Sequence, residues 1–489
     1  MFQKESIPFA PMLIESMRSL GYSFESAIAD IIDNSISAKA TRIDLFLSPE
    51  ENPYLIIFDN GIGMNEKEIE EAMRYGSKNP LEKRAKNDLG RFGLGLKSAS
   101  LSQCRKLTVV SKKENNLSSF SWDLDYIKNS QSWKIIGYDL DEINKLPKIE
   151  LFNSASSGTY VLLEEFDRVK SSTKNLNKTL TEYMIKTKEH LSLVFHRYLE
   201  GNLDIYINNS KIRAKDPFLS KHKKTQCKRE QSFIINGSKI VVKPYILPYI
   251  NYLTNEDIKK VGSKEQFRNE QGFYIYRNKR LIIWGTWFRM ETKNELSKLA
   301  RIRVDIPNSL DYMWNIDIKK SSANLPDIIK NKLHNCIKDS VVSSETVHQY
   351  RGRKQKPNSD ITYIWDRIKI RNGYEYKINR EIPQLKLLRD SLDEKQTNLL
   401  EKTLRYIEEN FPVDTLYIDM TKGDISSNQE KNKEDLEFKK LYEDILLEIE
   451  FAKKYGMNEK NFIRLLMKSE PYCNNSLLLK KMGELLDYE

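Results

Sequence analysis

The chain has 489 residues, 39% hydrophobic and 10% aromatic, which is apolar material enough for about two to four folded domains. It has no apolar stretch long enough to span a bilayer, and its start, Met1-Phe2-Gln3-Lys4-Glu5-Ser6, lacks the apolar core of a signal peptide, so a cytoplasmic protein without membrane contact is expected. The 80 Lys and Arg against 69 Asp and Glu leave a net charge of +11, a modest excess that points toward nucleic acid, while the four cysteines and five histidines lack the spacing of a zinc cage, a disulfide framework or a metalloprotease helix.

In chain order, Ala27-Ile28-Ala29-Asp30-Ile31-Ile32-Asp33-Asn34 has the periodicity of a helix, and one turn separates Asp30 from Asn34, so both share a face. Leu55-Ile56-Ile57-Phe58 predicts a buried strand that delivers Asp59-Asn60-Gly61-Ile62-Gly63-Met64 to a loop. A carboxylate there can accept a hydrogen bond from an exocyclic amine. Gly90-Arg91-Phe92-Gly93-Leu94-Gly95-Leu96-Lys97-Ser98 predicts a glycine-rich turn running into a helix, whose free backbone N–H groups and lysine suit phosphate oxygens. Taken singly these signals are weak, because Asp-Asn-Gly is a common hairpin turn and glycine-rich turns before helices are frequent. Their order, their spacing and a further Gly158-Thr159 after a strand-rich stretch describe a nucleotide site. A P-loop needs glycine directly before its lysine, where Leu96 stands, and the dinucleotide fingerprint fails at Ser98.

This set resembles the GHKL ATPase superfamily (gyrase, heat-shock chaperone, histidine kinase and MutL-type repair proteins), and within it the prokaryotic MORC-like and MutL-like ATPases. The resemblance implies an α+β chain: a GHKL α/β-sandwich ATPase domain with helices over one face of a mixed sheet, then an α/β transducer-like domain, then a mainly helical C-terminal region. It implies ATP and Mg²⁺ as cofactors, with Asn34 on the metal, Asp59 on the adenine amino group, and Gly61, Gly63 and Met64 at the base pocket. Gly90, Arg91, Phe92, Gly93, Leu94, Gly95 and Leu96 would form the phosphate lid with Lys97 beside it, and Thr159 would complete the nucleotide contacts. One departure concerns the general base: the family usually has Glu where this chain has Asp30. Asp is one methylene shorter, and a base must come within hydrogen-bond reach of the attacking water, so slow turnover is expected. Asp33 is the nearby alternative, and the face shared with Asn34 favours Asp30.

The expected domains are 1–200, 201–340 and 341–489. Tyr183 to Leu199 reads as a helix closing the first, and Leu203 to Ile207 as a strand opening the second, with Asn208-Asn209 as a turn. Gly272 to Ile282 alternates as a strand, turns at Asn278 and resembles the transducer of MutL and MORC relatives, in which a lysine reaches the γ-phosphate. Trp314 to Ser321 stands at the corresponding place, making Lys319 or Lys320 the candidate; solvated lysines at a strand end explain the pattern equally well. Beyond a basic linker at Tyr350 to Pro357, Leu392 to Asn410 and Leu436 to Tyr455 read as helices, the first with an apolar stripe of Leu399, Leu400, Leu404 and Ile407, and Lys422 to Lys433 as a polar connection.

The sequence therefore predicts an ATP- and Mg²⁺-dependent conformational switch that hydrolyses ATP. By resemblance its lid, around Gly76 to Gly95, orders over ATP, its segment Met1 to Leu20 pairs two protomers, and it clamps DNA in a restriction-type defence system against foreign DNA, alongside partner defence proteins. Basic clusters at Lys211 to Lys215, Lys221 to Lys224, Lys228-Arg229 and Arg351 to Lys356 suit phosphates without reading sequence. A chaperone-like ATPase acting on protein clients is the second reading. A histidine-kinase-like signalling protein is the third, weakened by the short stretch before Asp30, where no phospho-acceptor helix fits.

Overall fold

The computed structural model describes residues 3, 7–19, 21–76, 89, 95–249, 252–261, 264–294, 297–311, 313, 326–349, 361–370, 373–412, 416 and 434–487. The chain divides into two compact units, Met1–His348 and Gln349–Glu489.

The first unit is built on two sheets. Strands β1 (Arg42–Ser48), β2 (Tyr54–Asp59), β3 (Lys106–Lys113), β4 (Asn116–Asp123), β5 (Ile136–Gly137), β6 (Gly158–Glu164), β7 (Asp204–Ile207) and β8 (Ser210–Lys211) form a mixed sheet in the order β5-β4-β3-β6-β2-β1-β7-β8. Only the β1·β7 pairing is parallel among these described strands. One face alternates Leu45, Leu55, Ile57, Leu107, Val109, Val161 and Leu163 toward the main core, as strand periodicity requires. That core is closed by helices α1 (Ala10–Arg18), α2 (Phe24–Ser37) and α4 (Gly95–Gln103), and by the long helix Leu176–Val194. The opposite face is not bare. Phe46, Ile56, Val110, Tyr160 and Leu162 pack under Ile143, Ile149 and Phe152 from two short helical segments, so the expected one-sided sandwich carries a small second cover.

Helix α2 forms because Ser23 accepts its Ser26 N–H at the N-terminus and because Ala27, Ile28, Ile31 and Ile32 recur at helical spacing on the buried side. Helix α3 (Glu66–Met73) starts from a capping box in which Asn65 and Glu68 satisfy each other's backbone N–H groups.

The second sheet holds β9 (Gln226–Cys227), β10 (Gln231–Ile235), β11 (Ser238–Ile246), β12 (Gly272–Arg277), β13 (Arg280–Thr286) and β14 (Ala300–Ile306), ordered β10-β11-β14-β12-β13 with β9 beside β11. Ile240, Val242, Ile246, Phe273, Ile275, Ile302 and Val304 make its own core with Leu333 and Ile337 of the helix Asp327–Gln349. The strand expected to open the second domain belongs instead to the first sheet: β7 runs parallel to β1 with Ile205 opposite Ile43, and Asn208 and Asn209, both left-handed, turn it into β8. Periodicity shows that a strand exists but carries no information about which sheet it joins.

The second unit pairs a hairpin, β15 (Trp365–Ile370) and β16 (Gly373–Ile378), with five helices among its described residues, Pro383–Ser391, Glu394–Glu409, Glu434–Lys454, Glu459–Met467 and Ser476–Asp487. Leu387, Ile445, Ile449, Phe462, Leu466, Leu478 and Met482 form its core. Of the stripe expected on Glu394–Glu409, Leu404 is buried while Leu399 and Ile407 stand exposed. The basic linker and the polar connection at Lys422 to Lys433 lie outside the described residues. No helix of the described residues is long and apolar enough to cross a membrane.

Candidate nucleotide site

Asp59 ends β2, as the apolar run before it predicts, and is 4% exposed. Its Oδ2 accepts from the Ser35 hydroxyl at 2.7 Å and its Oδ1 from the Gly61 N–H at 2.8 Å. Burial pushes this carboxyl above its usual range, opposed by the hydrogen bonds from Ser35 and from the Gly61 and Thr159 backbones. A carboxylate offers about four lone-pair directions, so these partners leave it capacity for one further N–H donor.

The loop after Asp59 is held from several sides. Asn60 Oδ1 accepts from the Thr41 and Arg42 N–H groups, both at 2.9 Å, and its amide donates to Thr41 Oγ1. The hydroxyl of Ser157 donates to Gly61 O at 2.8 Å, and the N–H of Met64 donates to Ser111 Oγ at 2.8 Å. Glycine is required twice. A Cβ on Gly63, which has φ +66°, would lie 1.9 Å from Lys112 O, and one on Gly61 would lie 2.9 Å from Asp59 Oδ1 and crowd the carboxylate edge. Thr159 stands directly opposite Asp59 across the β2·β6 ladder and opposite Ser111 across β3·β6. Directly opposed residues share a face, so Asp59, Thr159 and Ser111 form one row above the core.

Helix α2 lies against this row, tied by Ser35. Asp30 is buried with its Oδ2 accepting from the Tyr22 hydroxyl at 3.2 Å, and Asn34, one turn on, is exposed. Asp33 is buried too, and Arg280 Nε donates to both of its oxygens at 2.9 Å, while Nη2 of the same guanidinium lies 3.7 Å from Asp30 Oδ1. Gly95 opens α4 and Leu96 packs on the main core, but Gly90, Arg91, Phe92, Gly93 and Leu94 lie outside the described residues, as do Lys319 and Lys320. Lys97 is buried, and its ammonium donates to Ala72 O at 2.7 Å and Arg74 O at 2.9 Å, closing the C-terminal end of α3. In this structure the lysine thus joins α4 to α3. No cluster of three or more His, Cys, Asp or Glu side chains suited to a metal occurs among the described residues.

Sequence reasoning missed Ser35, Ser111, Ser157, Arg277 and Arg280. Ser35 had one signal, a hydroxyl directly after Asn34 on the apolar side of the helix. The others meet the site only through long-range folding.

Residues 22–159 match the family described as histidine kinase-, DNA gyrase B- and HSP90-like ATPase. This stretch is a GHKL ATPase domain. It contains α2, the Asp59 loop, α4 and the start of β6, so the domain's family and the row described above coincide in the chain. Similar proteins include ATPase MORC2B of Mus musculus, 34% identical over 96 residues that make up 19% of this chain and 9% of that protein. The DNA mismatch repair protein MutL of Rickettsia bellii is 29% identical over 96 residues, 19% of this chain and 16% of that protein. ATPase morc-1 of Caenorhabditis elegans is 33% identical over 90 residues, 18% and 10% respectively. The matched stretch spans less than a fifth of each of these relatives.

Proposed function

We propose that this chain is an ATP-hydrolysing conformational switch that dimerises on ATP and clamps DNA, in a restriction-type defence system. The observation that supports it best is the row Asp59, Thr159 and Ser111, with α2 and its Asp30 and Asn34 tied beside it through Ser35. In this reading Asp59 accepts the adenine amino group and Gly61 leaves room for the base. Asn34 offers an amide oxygen to Mg²⁺, which when bound supplies charge neutralisation to the phosphates. Asp30 takes the proton of the attacking water, and its short side chain makes turnover slow. The glycine-rich stretch from Gly90 to Gly95 and the N-terminus of α4 offer N–H groups to phosphate. Lys319 or Lys320 serves as the lysine that reaches the γ-phosphate.

Two features support the wider role. Ile7, Phe9 and Met12 are exposed around α1, apolar surface of the kind a second copy covers. Lys211, Arg213, Lys221, Lys223, Lys224 and Arg229 are also exposed, and with the net charge of +11 they suit a phosphate backbone. The test is the ATPase rate of the full chain with and without double-stranded DNA at two salt concentrations. Hydrolysis that DNA stimulates, less so at high salt, is expected. Hydrolysis indifferent to DNA leaves a switch without this partner, and no hydrolysis overturns the enzyme reading.

A further inference from the structure

We propose that Arg280, at the start of β13, is a positioning residue for α2, setting through Asp33 where Asp30 and Asn34 stand. The inference rests on the reading of α2 given above.

Arg277 ends β12, Arg280 begins β13, and the two are opposed across the ladder. Asn278 and Lys279, at φ 47° and 68°, make the two-residue turn between them, a geometry that holds a hairpin tightly. The hydroxyl of Tyr198 donates to Asn278 O and fixes the turn itself. Both arginines are buried, and they reach different parts of the first domain. Arg277 Nη1 donates to Leu89 O at 2.8 Å, while its Nε donates to both Asp311 oxygens at 2.8 and 2.9 Å. Leu89 directly precedes Gly90, and its N–H donates to Ser37 Oγ at the end of α2 at 3.2 Å. Arg280 makes its two-oxygen contact with Asp33, donates through Nη1 to Leu281 O at 2.7 Å, and holds Nη2 at 3.7 Å from Asp30 Oδ1. Its guanidinium lies over the Phe195 ring, 5.2 Å from the centroid.

One guanidinium therefore faces both Asp30 and Asp33 of α2, the latter across 247 residues of sequence. A buried ion pair adds little net stability over a well-packed apolar pair, because desolvation offsets the attraction. It does fix geometry. A guanidinium bonded to both oxygens of Asp33 sets the roll of α2 about its axis, and that roll decides where Asp30 and Asn34 stand together.

The experiment uses the full chain with Arg280→Gln, Arg280→Lys, Asp33→Asn and the double variant Arg280→Gln/Asp33→Asn. In nucleotide-free protein, each Gln or Asn single variant is expected to lower the melting temperature, and the double variant to recover part of the loss, because it removes both members of the Arg280–Asp33 pair rather than one. In steady-state kinetics Arg280→Gln is expected to lower kcat by about tenfold or more with KM changed by less than about threefold, and Arg280→Lys to restore part of kcat. Strictly additive melting shifts overturn the coupling, and so does unaltered kcat in Arg280→Gln. If Arg280→Gln fails to fold, Arg280→Lys carries the kinetic test, and wild-type kcat and KM in it overturn the positioning role. Absence of hydrolysis in the wild type removes the ATPase reading itself, whereas an active wild type with an insensitive Arg280 removes this inference alone.

Discussion

The hydroxyl of Ser35 donates to Asp59 Oδ2 at 2.7 Å, joining the helix that carries Asp30 and Asn34 to the end of β2. Removing the acceptor charge by Asp59→Asn is expected to weaken ATP binding by roughly ten- to a hundredfold, the worth of a hydrogen bond to a charged group. Ser35→Ala should cost less. Because burial raises the Asp59 carboxyl, it takes up a proton at higher pH than an ordinary aspartate, so ATP affinity should fall as pH drops through the acid range. Calorimetric titration with ATP at several pH values checks both, and a flat pH profile with unchanged affinity in Asp59→Asn contradicts the assignment.

In the proposed reading, variants of Asn34 and Asp30 should separate metal binding from chemistry. Asn34→Ala should abolish the Mg²⁺ dependence of ATP binding and leave the melting temperature near wild type, since the residue is exposed. Asp30→Asn should keep ATP affinity and lose turnover in every background. Asp33→Asn should also slow turnover, and adding Arg280→Gln to it should slow turnover little further, since both changes remove the same contact. A dead Asp33→Asn beside an active Asp30→Asn would exchange the two roles.

Gly63 and Gly237 are both left-handed, at φ +66° and +74°, but they differ in surroundings. A Cβ on Gly237 meets nothing within 4 Å, so Gly237→Ala should cost only the backbone strain of about 1–2 kcal/mol. Gly63→Ala adds a collision with Lys112 O and should lower the melting temperature clearly further. Equal shifts in the two variants would mean that the loop after Asp59 yields without resistance.

His196 is buried, with Nε2 at 2.7 Å from the Tyr276 hydroxyl, and burial lowers its pKa from 6.5 to about 4. The unfolded chain therefore takes up the proton first, and stability should fall as pH drops from 6.5 toward about 4, by roughly 3 kcal/mol in all. His190, lowered to about 3 by burial and by Arg280, acts in the same direction. Urea unfolding between pH 7 and 5 measures the slope, which His196→Gln should flatten even though it lowers the overall level. An unchanged slope would show that His196 titrates alike folded and unfolded.

Nucleotide state should control self-association. A non-hydrolysable ATP analogue should convert monomers into dimers and ADP should not, because only a ligand that prefers the closed form can shift the balance. Light scattering at matched protein concentrations decides it. A single mass across no ligand, ADP and the analogue contradicts the clamp.

Legibility followed the range of the interactions. Asp59 was legible because the apolar run Leu55 to Phe58 and the Asp-Asn-Gly turn are contiguous, and α2 because its period and its polar pair lie within two turns. Ser111 and Arg280 were not, since each acquires meaning only when another strand or helix arrives, and Ser111 looks like any hydroxyl inside an alternating strand. The strand Asp204–Ile207 was legible as a strand and illegible as a member of the first sheet, because its partner Arg42–Leu45 is chosen by tertiary packing. In the second unit a helical stripe was visible, but the burial of Leu404 beside the exposure of Leu399 depends on neighbours that the pattern does not name.

The shared rung of Asp59, Thr159 and Ser111 also determines where this chain tolerates a change in length. Strand side chains alternate, so one residue inserted into β6 between Thr159 and Glu164 turns Thr159 to the opposite face, while Asp59 and Ser111 keep theirs. A two-residue insertion restores the face but carries Thr159 past the end of its neighbours. Length variation should therefore be absorbed at the turn between β3 and β4, around Glu114 and Asn115, which leaves the register of that row untouched.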